Sequence, residues 1–152
     1  MRYAKLFVPI VTTFLLLCAV NGSAQIADVW SGPLKTEFSQ NTTNVLFDFD
    51  DHIIDTQGEQ GALRKDAEWL KAHPDVRFYV NGYCDERGDI LYNMTLSQKR
   101  ADAVTSALLQ LGVSQNQIIS SVGWGKLYPT CAGDEEGCRE KNRVVQLVYA
   151  AP

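Results

Sequence analysis

An α/β domain, with a mixed sheet and helices packed against it, is predicted by three features of the sequence. Short apolar stretches have a two-residue period, longer segments with helical spacing lie between them, and polar, turn-rich joins separate the two kinds. The elements run β-α-β-α-β-loop-β over residues 44–150. Val45, Phe47 and Phe49 alternate with Leu46, Asp48 and Asp50, giving a first strand with one apolar face before a turn at Asp51 and His52. Thr56-Gln57-Gly58-Glu59 fits a capping box, Leu63, Ala67 and Leu70 follow at helical spacing, and Pro74 sets the stop by His73. Val76, Phe78, Val80 and Gly82 mark a second strand that ends in the polar loop 83–88. A second helix is expected from near Thr95, where Thr95-Leu96-Ser97-Gln98 fits another capping box. Ala101, Val104, Leu108 and Leu111 form its apolar stripe and Gly112 its end. Strands over about 118–124 and 143–149 complete the order. The first two crossovers are expected to be right-handed, with parallel pairing inside them.

The first 24 residues read as an export signal. Arg2 and Lys5 precede an apolar run from Leu6 to Val20, and Gly22-Ser23-Ala24 places small residues before Gln25, the expected mature start. Pro9, Thr12 and Thr13 interrupt the run, which is shorter than the roughly 20 residues of a membrane span. Cys18 suggests a rival outcome, a lipid anchor at the outer membrane, but Leu17 is larger than the small residue that usually precedes a lipidated cysteine. Residues 25–43 mix Gly, Pro, Ser, Thr, Asn and charges without sustained periodicity and read as a lead-in or linker.

Loss of the signal removes two bases and no acid, taking the formal net charge from −4 to −6. That balance excludes a nucleic-acid partner, which requires a basic face. Export implies an oxidising compartment, and Cys131 and Cys138 bracket a flexible polar loop, so they are expected to form a disulfide, leaving Cys84 as a free thiol.

The loop after the second strand is where ligand chemistry is expected, because ligands of open α/β sheets favour the carboxyl ends of the strands. Asp85 lies in that loop, and Arg100 is placed on the first turns of the expected helix. Together they suit a zwitterion, Asp85 accepting from an ammonium and Arg100 gripping a carboxylate, with the helix N-terminus supplying further donors. The competing reading of the pair is a structural salt bridge.

Residues 81–88, Asn-Gly-Tyr-Cys-Asp-Glu-Arg-Gly, and 92–104, Tyr-Asn-Met-Thr-Leu-Ser-Gln-Lys-Arg-Ala-Asp-Ala-Val, carry a resemblance to the OmpA-like C-terminal domain. It is nearest to the branch of peptidoglycan-associated lipoproteins. Val45 to Asp50, Gly123-Trp124-Gly125-Lys126 with Pro129, and Lys141-Asn142-Arg143 are similar to further family segments in the same order, over about residues 44–150. The resemblance implies non-covalent binding of peptidoglycan through the diaminopimelate of the stem peptide, with Asp85 and Arg100 as the principal contacts. Phe49, Asp50 and Leu96 match secondary positions. Tyr83, where the family often has His, and Val144, where it has a second Arg, depart from the pattern and bear on pocket shape. The implied setting is the periplasm and cell wall, with other envelope proteins as further partners. The alternative role is an interaction module with the same fold and little peptidoglycan binding.

No cofactor, metal or catalytic group is expected. Neither His52 nor His73 has metal-ligand spacing or a nucleophile nearby, and both read as surface residues. Asp48, Asp50 and Asp51 lack the oxygen cage of a calcium loop. Cys84, beside Asp85, reads as a packing residue, and Asp134, Glu135 and Glu136 as the solvated tip of the disulfide loop. No Ser-His-acid, zinc or phosphate-loop motif occurs, so the protein is not expected to be an enzyme.

Overall fold

A computed structural model describes residues 22–150 as four helices, one 3-10 turn and a four-stranded mixed sheet. The expected export run and Cys18 lie outside the described residues. The elements are α1 (Gly22–Asn41), β1 (Val45–Leu46), α2 (Gln57–Ala72), β2 (Arg77–Gly82), α3 (Ile90–Gln110), β3 (Ile118–Gly123), α4 (Glu136–Asn142) and β4 (Val144–Ala150).

The sheet order is β1-β4-β2-β3. Within the second crossover β2 and β3 pair in parallel, as expected. The first crossover differs: β1 and β2 are not paired, because β4 enters between them and pairs antiparallel with both. Phe38, Val45, Leu63, Leu70, Phe78, Val80, Val104, Leu108 and Val145 belong to one buried core drawn from helices and sheet alike.

The segment read as a linker is helical as far as Asn41. Gly32 and Pro33 weaken the local helical signal, and what fixes the helix end is tertiary. Phe38 is buried against the rings of Trp69, Phe78 and Tyr149, with centroids 5.7–6.0 Å away. α2 has the expected capping box: the Glu59 amide donates to the Thr56 hydroxyl at 3.1 Å, and the Thr56 amide to the Glu59 carboxylate at 3.3 Å. Buried Asp66, on the same helix, accepts from the Thr43 amide and hydroxyl and so ties α2 to the entry of β1.

Two elements depart from the sequence pattern in ways that build the site. β1 stops at Leu46 rather than running to Phe49, and the chain turns at Asp48–Asp51, with Asp50 at φ +59°. Helix α3 starts at Ile90, capped by the Asp89 carboxylate on the amides of Leu91 and Tyr92, and not at Thr95. The Thr95 hydroxyl instead donates to Leu91 O, one turn back inside the helix. α3 lies so close to the sheet that a Cβ on Gly82 would collide with the main chain at Ser97, and one on Gly123 with that of Gln98. The Gln98 carboxamide also accepts from Gly123 N and donates to Ser121 O, capping part of the β3 edge.

Candidate functional site

At the carboxyl end of β2 lies a half-open cavity of about 70 Å³, lined by Phe49 and Asp50 from the turn after β1, Asp85, Arg87 and Gly88 from the β2–α3 loop, Leu96 and Arg100 from α3, and Arg143 from the end of α4. All five residues expected at a binding site line it. Such a recess suits a compact charged group rather than a whole peptide.

Arg100 is fully buried. Because α3 begins five residues early, Arg100 sits ten residues into the helix, about 15 Å from its N-terminus, rather than on the first turns. The donors expected from that N-terminus are consumed by Asp89. The Arg100 guanidinium instead donates Nε to Asp51 O at 2.6 Å, Nη1 to Tyr83 O at 3.0 Å and to Cys84 Sγ at 3.4 Å, and Nη2 to Asp48 O at 2.9 Å. The turn that cuts β1 short aims the Asp48 and Asp51 carbonyls at this cation. Among the described residues no carboxylate lies within ion-pair distance of it. Burial is accordingly the largest influence on Arg100 and pushes its pKa down, as for a cation short of anions.

Asp85 is also buried, but richly paired. Its Oδ1 accepts from the Arg87 amide and Nε, both at 3.2 Å, and its Oδ2 from Arg87 Nη2 at 2.6 Å and Arg143 Nη1 at 3.3 Å. Burial pushes this carboxyl up, and the contacts from Arg87 and Arg143 outweigh it, holding the pKa below the ordinary value. Asp85 and Arg100 therefore do not form the structural salt bridge that competed with the ligand reading.

Arg87 also lies over the Phe49 ring, its Cζ 4.0 Å from the centroid, at the cavity mouth. Tyr92 donates its hydroxyl to Asp50, fixing the opposite rim. Cys84 lines the floor, its thiol pKa raised by burial against the opposing effect of Arg100, which fits a packing thiol rather than a nucleophile.

The acidic loop is held from outside too. Lys126 Nζ donates to Glu86 O and Gly88 O at 2.9 and 2.7 Å, and Arg139 on α4 pairs with Glu86 at 2.7 Å. The Cys131–Cys138 disulfide closes the loop that leads into α4, and the Asn142 carboxamide bonds both the amide and the carbonyl of Cys131. Glu135 approaches the two sulfurs, which are spent in the disulfide. Glu136, read as part of a solvated tip, begins α4 and pairs with Arg143 at 2.8 Å. His73, read as a surface residue, is half-buried, stacked on Trp69 and bonded to its carbonyl.

Arg87, Arg143 and Tyr92 were not singled out from the sequence. Arg87 sits two residues from Asp85, a spacing that could have flagged it. Arg143 and Tyr92 meet partners 58 and 42 residues away, and no local pattern carries that information.

This is an α/β domain with a charge-lined recess at the end of a central strand. Residues 46–143 match the OmpA family, and the chain belongs to that family. It is 38% identical over 106 residues to the peptidoglycan-associated lipoprotein of Legionella pneumophila, covering 70% of this chain and 59% of that protein. It is 37% identical over 121 residues to the protein of the same name from Pasteurella multocida, covering 80% and 79% of the two chains. The crystal structure of the peptidoglycan-associated lipoprotein from Burkholderia pseudomallei superposes with a TM-score of 0.67 at 40% identity, covering 70% of this chain and 89% of that one.

Proposed function

We propose that this protein is exported to the bacterial envelope and binds peptidoglycan there without reacting with it. The cavity takes the free ammonium and carboxylate of diaminopimelate in the stem peptide. Asp85 faces the ammonium and Arg100 the carboxylate, while Asp50, Phe49 and Leu96 contact the chain that joins that centre to the stem. The observation that carries this reading is the imbalance at Arg100, a fully buried guanidinium with carbonyl and thiol partners but no anion among the described residues, lining a recess open to solvent. A buried cation is costly unless paired, so an anion entering the recess gains more there than at an exposed arginine. The names of the similar proteins, peptidoglycan-associated lipoproteins, support association with peptidoglycan.

Purified protein should sediment with intact sacculi, and calorimetry should give saturable binding of a diaminopimelate stem that a lysine stem, lacking the carboxylate, does not match. Arg100→Lys, which keeps the charge but cannot hold the Asp48, Asp51 and Tyr83 carbonyls and still present an N–H to the ligand, should weaken the diaminopimelate stem about tenfold or more. Absence of binding to sacculi and stem alike would leave the domain as an interaction module for other envelope proteins.

A further inference from the structure

The hydrogen bonds on Asp85 raise a counting problem that the proposed ligand must solve. A carboxylate offers about four lone-pair sites. Asp85 already accepts four bonds, three from Arg87 and one from Arg143. An ammonium arriving at Asp85 therefore needs a protein donor to leave.

The two arginines differ in how firmly they are held. Arg143 has 6% of its side chain exposed, and its guanidinium is fixed from two further directions, by Phe47 O at 2.9 Å and Glu136 at 2.8 Å. Arg87 has 33% of its side chain exposed, and beyond Asp85 its guanidinium rests on the face of Phe49, with no further hydrogen bond among the described residues. Its main chain stays anchored regardless, since the Arg87 carbonyl accepts from Asn93 Nδ2 at 2.6 Å. The side chain can swing out while the loop remains in place.

We infer that Arg87 is a specificity-determining residue: its guanidinium is a built-in occupant of the ammonium subsite, covering Asp85 at the mouth of the recess until a ligand ammonium displaces it. The inference rests on the proposed ligand-binding role of Asp85 and adds the step by which that residue becomes available. A purely anionic ligand cannot take Arg87's place on Asp85. A ligand with an ammonium alone takes Arg87's place on Asp85 but leaves Arg100 without an anion. A zwitterion supplies both partners, so the exchange favours the diaminopimelate centre over a lysine side chain.

The test measures diaminopimelate-stem and lysine-stem binding to wild type, Arg87→Ala and Arg87→Gln by calorimetry, each repeated on an Asp85→Asn background. Circular dichroism establishes folding, and Arg143→Lys serves as the contrast. Removing the occupant should tighten both stems, by about fivefold to tenfold for Arg87→Ala, with the larger gain for the lysine stem, so that discrimination narrows. Arg87→Gln should follow in the same direction. The gain should vanish with Asp85→Asn, and Arg143→Lys should weaken binding. In wild type the Arg87 Nε resonance should shift on adding the diaminopimelate stem. Unchanged or weaker binding by both folded Arg87 variants would overturn the inference while leaving the peptidoglycan reading intact. If wild type failed to bind and Arg87→Ala bound, the occupant would be confirmed as a closed gate; if neither bound, the ligand reading and the inference would fall together.

Discussion

The two charged walls of the recess are built from different materials. Around Arg100 the acceptors are main-chain carbonyls of Asp48, Asp51 and Tyr83, held by a turn and a strand end and closed over by α3. Around Asp85 most of the partners are side chains, Arg87 and Arg143, and Arg143 in turn depends on the short helix α4. Carbonyls in ordered backbone neither titrate nor rotate away. Ion pairs do both, and respond to salt as well. One wall is thus a fixed post that sets geometry and the other an exchangeable surface where partners can be swapped.

The hardest test of the contrast is Arg100→Ala. It removes the common partner of three carbonyls from two segments and leaves them facing a void, so a loss of roughly 3–5 kcal/mol is expected in denaturant unfolding, at an unchanged slope. Ligand binding should disappear with it. A well-folded Arg100→Ala within about 0.5 kcal/mol of wild type would show that the turn at Asp48–Asp51 holds without the guanidinium, and the fixed wall would be fixed by something else.

A smaller effect is expected where the exchangeable wall meets the disulfide. α4 has seven residues, too few to persist alone, and Arg139 and Arg143, one turn apart at its end, reach Glu86 and Asp85. Replacing Cys131 and Cys138 by Ser should cost about 2.5 kcal/mol on chain-entropy grounds for so short a loop. It should also weaken the stem ligand by loosening Arg143. Amide exchange should rise in α4 and the 85–88 loop and stay unchanged around Arg100. Equal loosening of both walls would erase the distinction between them.

What the sequence reveals follows the same division. Strand and helix periods, the Thr56 capping box and the pairing of Cys131 with Cys138 are local patterns, and each is found in the structure. Asp85 and Arg100 stand out because charged residues beside a strand end are conspicuous, and the cavity brings them together with Phe49, Asp50 and Leu96. Two of the misplaced features depend on contacts distant in sequence. The end of α1 is fixed by Phe38 against three distant rings, and β1 is cut short where its carbonyls turn to Arg100. The start of α3 is a local matter: Asp89 and Thr95 both offer a cap, and the helix uses the earlier one. A capping motif read from sequence cannot say which of two competing sites the tertiary structure will use.

The finest distinction between the walls is in their response to acid. Asp85 titrates below its ordinary value of 3.8 in the folded protein, because Arg87 and Arg143 favour the carboxylate more than burial disfavours it. The unfolded chain then binds the proton more readily than the folded one, so this group's stabilisation is fully present above the ordinary value. It is lost as pH falls through the lowered folded value. Asp85→Asn removes that dependence. The difference in melting temperature between wild type and Asp85→Asn should therefore be largest near neutral pH and shrink steadily below about pH 4. Arg100→Ala should behave otherwise, since the carbonyls that hold Arg100 carry no proton to exchange: its deficit in melting temperature should shrink much less over the same range, by no more than the minor coulombic help that Arg100 gives Asp51 and Asp85. Thermal unfolding of the three proteins at matched ionic strength, from about pH 7 down to about pH 2.5, measures both curves. If the Asp85→Asn deficit persisted undiminished into acid, the arginines would be holding Asp85 through geometry rather than charge, and the exchangeable wall would have to be redrawn as a second fixed one.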